Sequence, residues 1–327
     1  MTTPLVDGFG RVHRDLRISV TDRCNFRCTY CMPEEGMEWQ PREDLLTFEE
    51  IERLARLMVE RYGVQSIRLT GGEPTVRAKL PVLVEKLAAL GVDLAMTTNG
   101  VSLPLMGADL RAAGLRRVNI SLDSFRPERF VELTRRDELD RVLEGIEAAL
   151  AAGFDPVKVN VVVMKGINDD EILDFARFGR ERGVTVRFIE FMPLDADEVW
   201  NNEKVMTQDE ILSVLQQAHE LEPVERTSAP ATRWRYADGE GEIGVVASVS
   251  RSFCDSCDRV RITADGQFRN CLFATEETDI RALLRDGSSD DVVAAALERT
   301  VAAKWAGHRI NQVHFVRPRR SMSEIGG

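Results

Sequence analysis

From residue 16 to about residue 219, short apolar runs alternate with stretches in which apolar residues return every third or fourth position. The runs at 16–20, 66–69, 93–97, 117–122, 157–163 and 184–189 read as strands. The stretches at 47–62, 80–90, 103–113, 139–152, 170–182 and 207–219 read as helices. In the first helix Phe48, Ile51, Leu54, Ala55 and Met58 share one face. Two helices open on capping boxes, Thr47 with Glu50 and Thr207 with Glu210. Asn99-Gly100 stops a strand, while Gly153 and Gly183 end helices. Strand–helix units in succession imply parallel strands, because each crossover is helical. The run 157–163 reads as apolar at nearly every position, as expected of a strand covered on both faces. Six units are fewer than the eight that close a complete barrel. The expected class is therefore α/β, an incomplete (βα)6 TIM-type barrel with a C-terminal α+β extension covering the open side.

After residue 221 the pattern changes. Strands are expected at 243–249 and 260–263, with a turn at Asp265-Gly266, then helices at 279–285 and 289–303. The chain ends on a basic Arg317-Pro318-Arg319-Arg320 stretch and Gly326-Gly327. This divides the sequence into a partial barrel, 1–221, and a C-terminal region, 222–327. The 327 residues contain no apolar run long enough to cross a membrane. The first 14 residues lack the apolar core of a secretory signal, so a cytoplasmic location is expected. A net charge of −11 argues against non-specific nucleic-acid binding. It leaves room for a small anionic substrate in a locally basic cleft.

The six cysteines fall in two triplets. Disulfides are disfavoured in a reducing compartment, so each triplet reads as a metal or cluster site. Cys24-x3-Cys28-x2-Cys31 follows the first strand directly. Three thiolates can hold three irons of a cubane and leave the fourth open to a ligand. Zinc more usually takes four ligands, and zinc or structural thiols are the alternatives. Tyr30 lies inside this loop. Thr70-Gly71-Gly72-Glu73-Pro74 ends the second strand, where glycines let a bound molecule approach the backbone; the bland reading is an ordinary turn. Cys254-x2-Cys257-x13-Cys271 again offers three thiolates. A redox pair, or a zinc ribbon completed by His308 or His314, is the alternative there. On a strand Arg259 and Arg261 share a face and form a fork suited to phosphate, or else a solvent-facing pair. Arg17 and Lys158 lie inside strands, where an inward cation is costly unless it meets an anion. No GxxxxGK[ST] loop is present.

Taken together, these motifs resemble the GTP 3′,8-cyclase family of the radical S-adenosylmethionine (SAM) superfamily, which begins molybdenum-cofactor synthesis. The resemblance runs nearly end to end. It includes Asp15-Leu16-Arg17-Ile18-Ser19, Thr97-Thr98-Asn99-Gly100, Asn119-Ile120-Ser121-Leu122-Asp123, Lys158-Val159-Asn160, Arg187-Phe188-Ile189-Glu190-Phe191-Met192, Cys271-Leu272-Phe273-Ala274-Thr275 and the terminal Ile325-Gly326-Gly327. It implies two [4Fe–4S] clusters, one on Cys24, Cys28 and Cys31 that binds SAM, and one on Cys254, Cys257 and Cys271. It implies SAM contacts from Tyr30, Gly72, Ser121 and Met192. Around GTP it implies Arg17, Arg68, Thr97, Lys158, Arg259 and Arg261, with Arg17 given a further catalytic role. The implied reaction cleaves SAM with one electron, removes the 3′ hydrogen of GTP and joins C3′ to C8. The implied partners are a flavodoxin- or ferredoxin-like electron donor, a downstream cyclic pyranopterin monophosphate synthase and a second copy of the chain as a homodimer, with no nucleic acid and no membrane. The glycine tail would enter the active-site channel; a frayed terminus is the alternative. Three rivals remain: a peptide-modifying radical SAM enzyme, a two-cluster electron carrier and a zinc-stabilised barrel.

Overall fold

A computed structural model describes residues 2–34, 37–195, 197, 200–310 and 312–326. Six strands alternate with helices: β1 Asp15–Ser19, α1 Phe48–Tyr62, β2 Ser66–Thr70, α2 Leu80–Ala88, β3 Asp93–Thr98, α3 Leu103–Ala112, β4 Arg117–Ser121, α4 Pro127–Thr134, α5 Leu139–Ala151, β5 Val157–Val163, α6 Ile172–Arg182, β6 Thr185–Glu190 and α7 Gln208–Leu215. Then come β7 Leu221–Pro223, β8 Thr232–Tyr236, β9 Glu242–Val246, β10 Arg259–Ile262, β11 Gln267–Arg269, β12 Thr278–Asp279, α8 Ile280–Arg285, α9 Asp290–Ala302 and α10 Met322–Ile325.

Strands β1 to β6 pair in sequence order and all in parallel. The later chain adds one parallel strand at each edge, β10 beside β1 and β9 beside β6. Antiparallel strands continue outward, giving the order β12-β11-β10-β1-β2-β3-β4-β5-β6-β9-β8-β7. Among the described residues no pairing joins β12 to β7.

Local chemistry explains these boundaries. Thr47 caps α1, its hydroxyl accepting from Glu50 N while the Glu50 side chain accepts from Thr47 N. Thr207 and Glu210 do the same for α7. In α1 the buried positions Ile51, Leu54, Ala55 and Met58 fall on one stripe and enter the main core with Leu16, Ile18, Ile67 and Leu69. Burying such a stripe is the main stabilising term for a helix of this length.

Two expectations need correction. Strand β5 is not apolar on both faces: Val157, Val159, Val161 and Val163 are buried, and Lys158, Asn160 and Val162 alternate with them half-buried. The alternating face is not covered by helices, because Asn160 and Val162 line an internal cavity. Helix α4 also interrupts what reads as a single connection between β4 and α5.

Candidate active site

The inner face of the sheet surrounds a cavity of about 250 Å³ at the C-terminal ends of the parallel strands. The first cysteine triplet lies on the loop leaving β1, and all three thiols are free. Cys31 N donates to Cys28 O at 2.9 Å, closing a turn inside the loop. The glycines after β2 have a definite reason to be there. A Cβ on Gly72 would lie 2.4 Å from both Asp22 O and Arg23 O, so only glycine lets the end of β2 lie against the cysteine loop. Gly72 N donates to Thr21 O, and Glu73 N to Arg23 O, both at 2.8 Å.

Glu73 is buried and ties strand ends together. It accepts from Thr75 N and Oγ1, from Thr98 Oγ1 at 2.7 Å and from Asn99 N at 2.6 Å. Burial raises its pKa against those bonds. Asn99 Nδ2 reaches the cysteine loop at Asn25 Oδ1, 2.7 Å away. Tyr30 donates its hydroxyl to Asp123 Oδ2 at 2.6 Å, and Val162 N donates to Asp123 Oδ1 at 2.8 Å. Burial pushes Asp123 up to about 6.

Cations also line the cavity. Arg17 and Arg68 stand side by side on β1 and β2, and Arg17 also pairs in register with Arg261 on β10. Burial, then the charge of Arg68, push Arg17 down to about 9. Burial and Arg187 bring Arg68 to about 10, and burial with Arg17 brings Arg187 to about 10. Arg261 falls well below the usual arginine range through burial and the charge of Arg17. Arg17, Arg68 and Arg187 remain cations at neutral pH. The Nε atoms of Arg17 and Arg68 are buried without a hydrogen-bond partner. Buried like charges with unused donors form a site that is incomplete without an anion.

The cavity wall therefore brings together Cys24, Cys28, Cys31, Tyr30, Gly72, Ser121 and Met192 with Arg17, Arg68, Thr97, Arg259 and Arg261. Lys158 is not in that wall. It sits at the level of Asn119 and Thr185, one pleat below Asn160, and burial with Arg187 and Arg117 pushes it down to about 8. Cys254, Cys257 and Cys271 lie outside the wall, close in sequence to Phe253, Arg259 and Leu272, which are in it. Arg259 Nη2 donates to Cys257 Sγ at 3.4 Å. His308 comes close to this triplet, its backbone N–H 3.4 Å from Cys254 Sγ and its ring without a hydrogen-bond partner, whereas His314 is exposed. Among the described residues no three His, Cys, Asp or Glu side chains converge as around a single ion. The tail reaches the cavity too: Arg261 Nη1 donates to Gly326 O at 3.0 Å, and a Cβ on Gly326 would lie 2.7 Å from Ser19 Cβ. Gly327 lies outside the described residues.

Comparison with known proteins agrees with this geometry. Residues 18–179 match the radical SAM superfamily, and residues 184–310 match the molybdenum cofactor synthesis C-terminal family. The chain is 50% identical to a GTP 3′,8-cyclase of Streptomyces coelicolor, over 99% of this chain and 96% of that protein. It is 48% identical to one from Rhodopirellula baltica, over 100% of this chain and 94% of that protein. The chain belongs to the GTP 3′,8-cyclase family. Structural likeness at lower identity shows the fold alone. Streptococcus suis SuiB bound to its precursor peptide SuiA gives a TM-score of 0.61 at 13% identity, covering 94% of this chain and 75% of that one. The protein anSMEcpe with bound AdoMet gives 0.58 at 13%, covering 94% and 92%.

For a member of the GTP 3′,8-cyclase family, several contributors to the site escape a reading of motifs alone. Arg187 lines the cavity and donates to Asn119 Oδ1 and Asn160 Oδ1, both at 2.7 Å. Its position between buried Val186 and Phe188 could have revealed it as inward-facing. Helix α4 anchors the cysteine loop: Arg27 N donates to Thr134 O and Thr29 N to Leu133 O, while Arg136 Nε donates to Asn25 O. Pro127 at its start and the Phe130–Leu133 spacing were the available signals. Glu190 is fully buried and accepts from Gln208 N, Val249 N and Ser250 N, fixing the segment that leads to Cys254.

Proposed function

We propose that the chain cyclises GTP to (8S)-3′,8-cyclo-7,8-dihydroguanosine 5′-triphosphate, the opening step of molybdenum-cofactor biosynthesis. The observation that carries this reading is one cavity lined by three free thiols and five arginines, of which Arg187, Arg259 and Arg261 are buried and Arg17 and Arg68 half-buried. The thiols suit a radical SAM cluster; the arginines suit a triphosphate.

The residues present fit the implied cofactors. Cys24, Cys28 and Cys31 would hold three irons, and Tyr30, Gly72, Ser121 and Met192 would surround SAM. Cys254, Cys257 and Cys271 would hold a second [4Fe–4S] cluster behind Arg259. When reduced, the first cluster with SAM supplies one-electron chemistry that removes a substrate hydrogen. The chain's own part is position and charge. Arg17, Arg68, Arg259 and Arg261 would grip the triphosphate, with Arg17 nearest in role to the reacting sugar. Thr97 adds a hydroxyl, and Lys158 adds positive charge from one pleat deeper. Arg187, held by Asn119 and Asn160, adds its charge to the same cavity. Glu73 and Asp123 fix the cysteine loop against the strand ends. Gly326 would seal the mouth beside Arg261.

On this reading the sheet curls into an incomplete (βα)6 barrel, residues 1–221, and residues 222–327 close its open side and carry the second cluster. A flavodoxin- or ferredoxin-like protein would deliver electrons, cyclic pyranopterin monophosphate synthase would take the product, and the chain would act in the cytoplasm as a homodimer. The test is 5′-deoxyadenosine formation by anaerobically reconstituted protein with SAM and a strong reductant. Strong stimulation by GTP supports the reading. Cleavage of SAM that ignores GTP would move the substrate elsewhere.

A further inference from the structure

The segment before β1 builds a buried polar cluster that the cyclisation does not use. Val6 bridges Val12, and His13 N donates to Leu5 O at 2.8 Å, so the segment folds back on itself. Arg11 then donates to Cys254 O at 2.8 Å, Ala306 O at 2.7 Å and Trp305 O at 2.6 Å, with its Nε on Asp7 at 2.6 Å. This holds the turn of Cys254 and the chain after α9 in one place.

Lys304 lies at the centre of that arrangement and is 4% exposed. Its Nζ is 2.8 Å from Arg259 O, 2.9 Å from His13 Nε2 and 3.5 Å from Cys257 Sγ. An ammonium has three N–H donors and no acceptor, and it meets three acceptors here. Lys304 can only donate, so His13 accepts at Nε2 in the tautomer that carries its proton on Nδ1, which faces Leu5 O at 3.4 Å. Among the described residues no carboxylate forms an ion pair with Lys304; Asp7, 3.7 Å from His13 Nε2, is paired with Arg11. The anionic groups that act on it are Cys257 and Cys271, and Arg11 opposes them. A buried cation without a counter-charge is strongly disfavoured, so the thiolates of the second triplet are its partners.

We propose that Lys304, aimed by His13 and the Arg259 carbonyl, is a potential-setting residue of the second cluster. Reduction adds an electron to the cluster. A fixed positive charge and an N–H···S bond to one ligand therefore stabilise the reduced form and raise the potential. Lys304 is outside the cavity wall, which separates this role from substrate binding. The proposal rests on a [4Fe–4S] cluster being held by Cys254, Cys257 and Cys271.

The experiment uses the full chain carrying Cys24→Ala, Cys28→Ala and Cys31→Ala, reconstituted with iron and sulfide. Absence of a cluster in this protein would end the second-cluster reading itself. With the cluster present, a redox titration followed by electron paramagnetic resonance compares the parent with Lys304→Met and Lys304→Arg. Lys304→Met is expected to be at least about tenfold less reduced at the parent midpoint, about 59 mV for a one-electron couple. Lys304→Arg, which keeps the charge, is expected to stay closer to the parent. An unchanged midpoint in Lys304→Met with a full cluster overturns the proposal. Should that variant lose its iron, Lys304→Gln carries the test: a shift in the same direction supports the proposal and an unchanged midpoint overturns it.

Discussion

The two cysteine triplets differ in spacing, Cys24-x3-Cys28-x2-Cys31 against Cys254-x2-Cys257-x13-Cys271, and in the charges around their sulfurs. Around the first, Glu73 acts on Cys24 and Asp123 on Cys28, and burial with Glu73 outweighs Arg27 and Arg136 at Cys24. Burial and Glu73 push Cys24 up to about 12, burial and Cys24 bring Cys31 to about 12, and burial raises Cys28 well above the usual thiol range. In the second, burial raises Cys254 as well, and Cys257 is the thiol that meets cations. Burial raises the Cys257 thiol, but Arg259 and Lys304 outweigh it and bring the group to about 7. Thiolate is the form that binds iron. The first loop needs the metal itself to displace its protons, while Cys257 is a thiolate near neutrality before metal arrives. The first site thus leaves charge for the cluster and SAM to supply. The second holds negative charge at Cys257, and Arg259 reaches that sulfur while also lining the substrate cavity.

The sharpest way to break this comparison is Arg259→Ala with Arg261→Ala. Two charge-assisted contacts at about 1.5–3 kcal/mol each predict a fall in kcat/KM of at least about 100-fold. Iron per chain should not change. Loss of iron instead would mean that the pair serves the thiols rather than the phosphates. Next in size is Gly72→Ala. Its Cβ would meet two carbonyls at 2.4 Å, so the first cluster should be lost and roughly half of the iron retained, by iron analysis and electron paramagnetic resonance. The counterpart at the second site, Gly307→Ala, meets Cys254 Cβ at 3.4 Å and should retain nearly all of its iron. If both substitutions act alike, the difference between the sites is not structural.

A third prediction concerns protons. In reduced, iron-free protein, alkylation mapped by mass spectrometry should label Cys257 near pH 7, while Cys24 and Cys31 stay slow until far higher pH. Cys257 has a folded pKa of about 7 against an ordinary value of 9.0, so its contribution to stability is full above pH 9 and is lost as pH falls through 7. Cys24 works the other way: its contribution is full below pH 9 and is lost as pH rises towards 12. The smallest effect is that of Asp123→Asn, which weakens the Tyr30 hydrogen bond. A loss of about 1 kcal/mol predicts a roughly fivefold weaker SAM affinity by equilibrium binding, with the second cluster untouched.

The first half of the fold was legible because its signals are local. Capping boxes, apolar stripes and glycine stops lie within a few residues of the elements they delimit, and β1 to β6 appear within a residue or two of their expected ends. Cysteine spacing and the Arg259–Arg261 alternation likewise carried the site. What stayed hidden depends on distant partners. Strands β7, β8, β11 and β12 are two to five residues long and exist through pairing at the sheet edges. Helix α4, eight residues long, is fixed by its bonds to the cysteine loop. Lys304 reads as one more charge at a helix end. Only the fold brings it to Cys257 and to His13, 291 positions away.

The central claim is that one cavity binds SAM and GTP so that a hydrogen passes from the sugar. It is tested most directly with GTP deuterated at C3′, using reconstituted protein, SAM and reductant. The account predicts one deuterium in the 5′-deoxyadenosine formed and a matching amount of 3′,8-cyclised nucleotide. Unlabelled 5′-deoxyadenosine formed at the same rate without any cyclised product would contradict it.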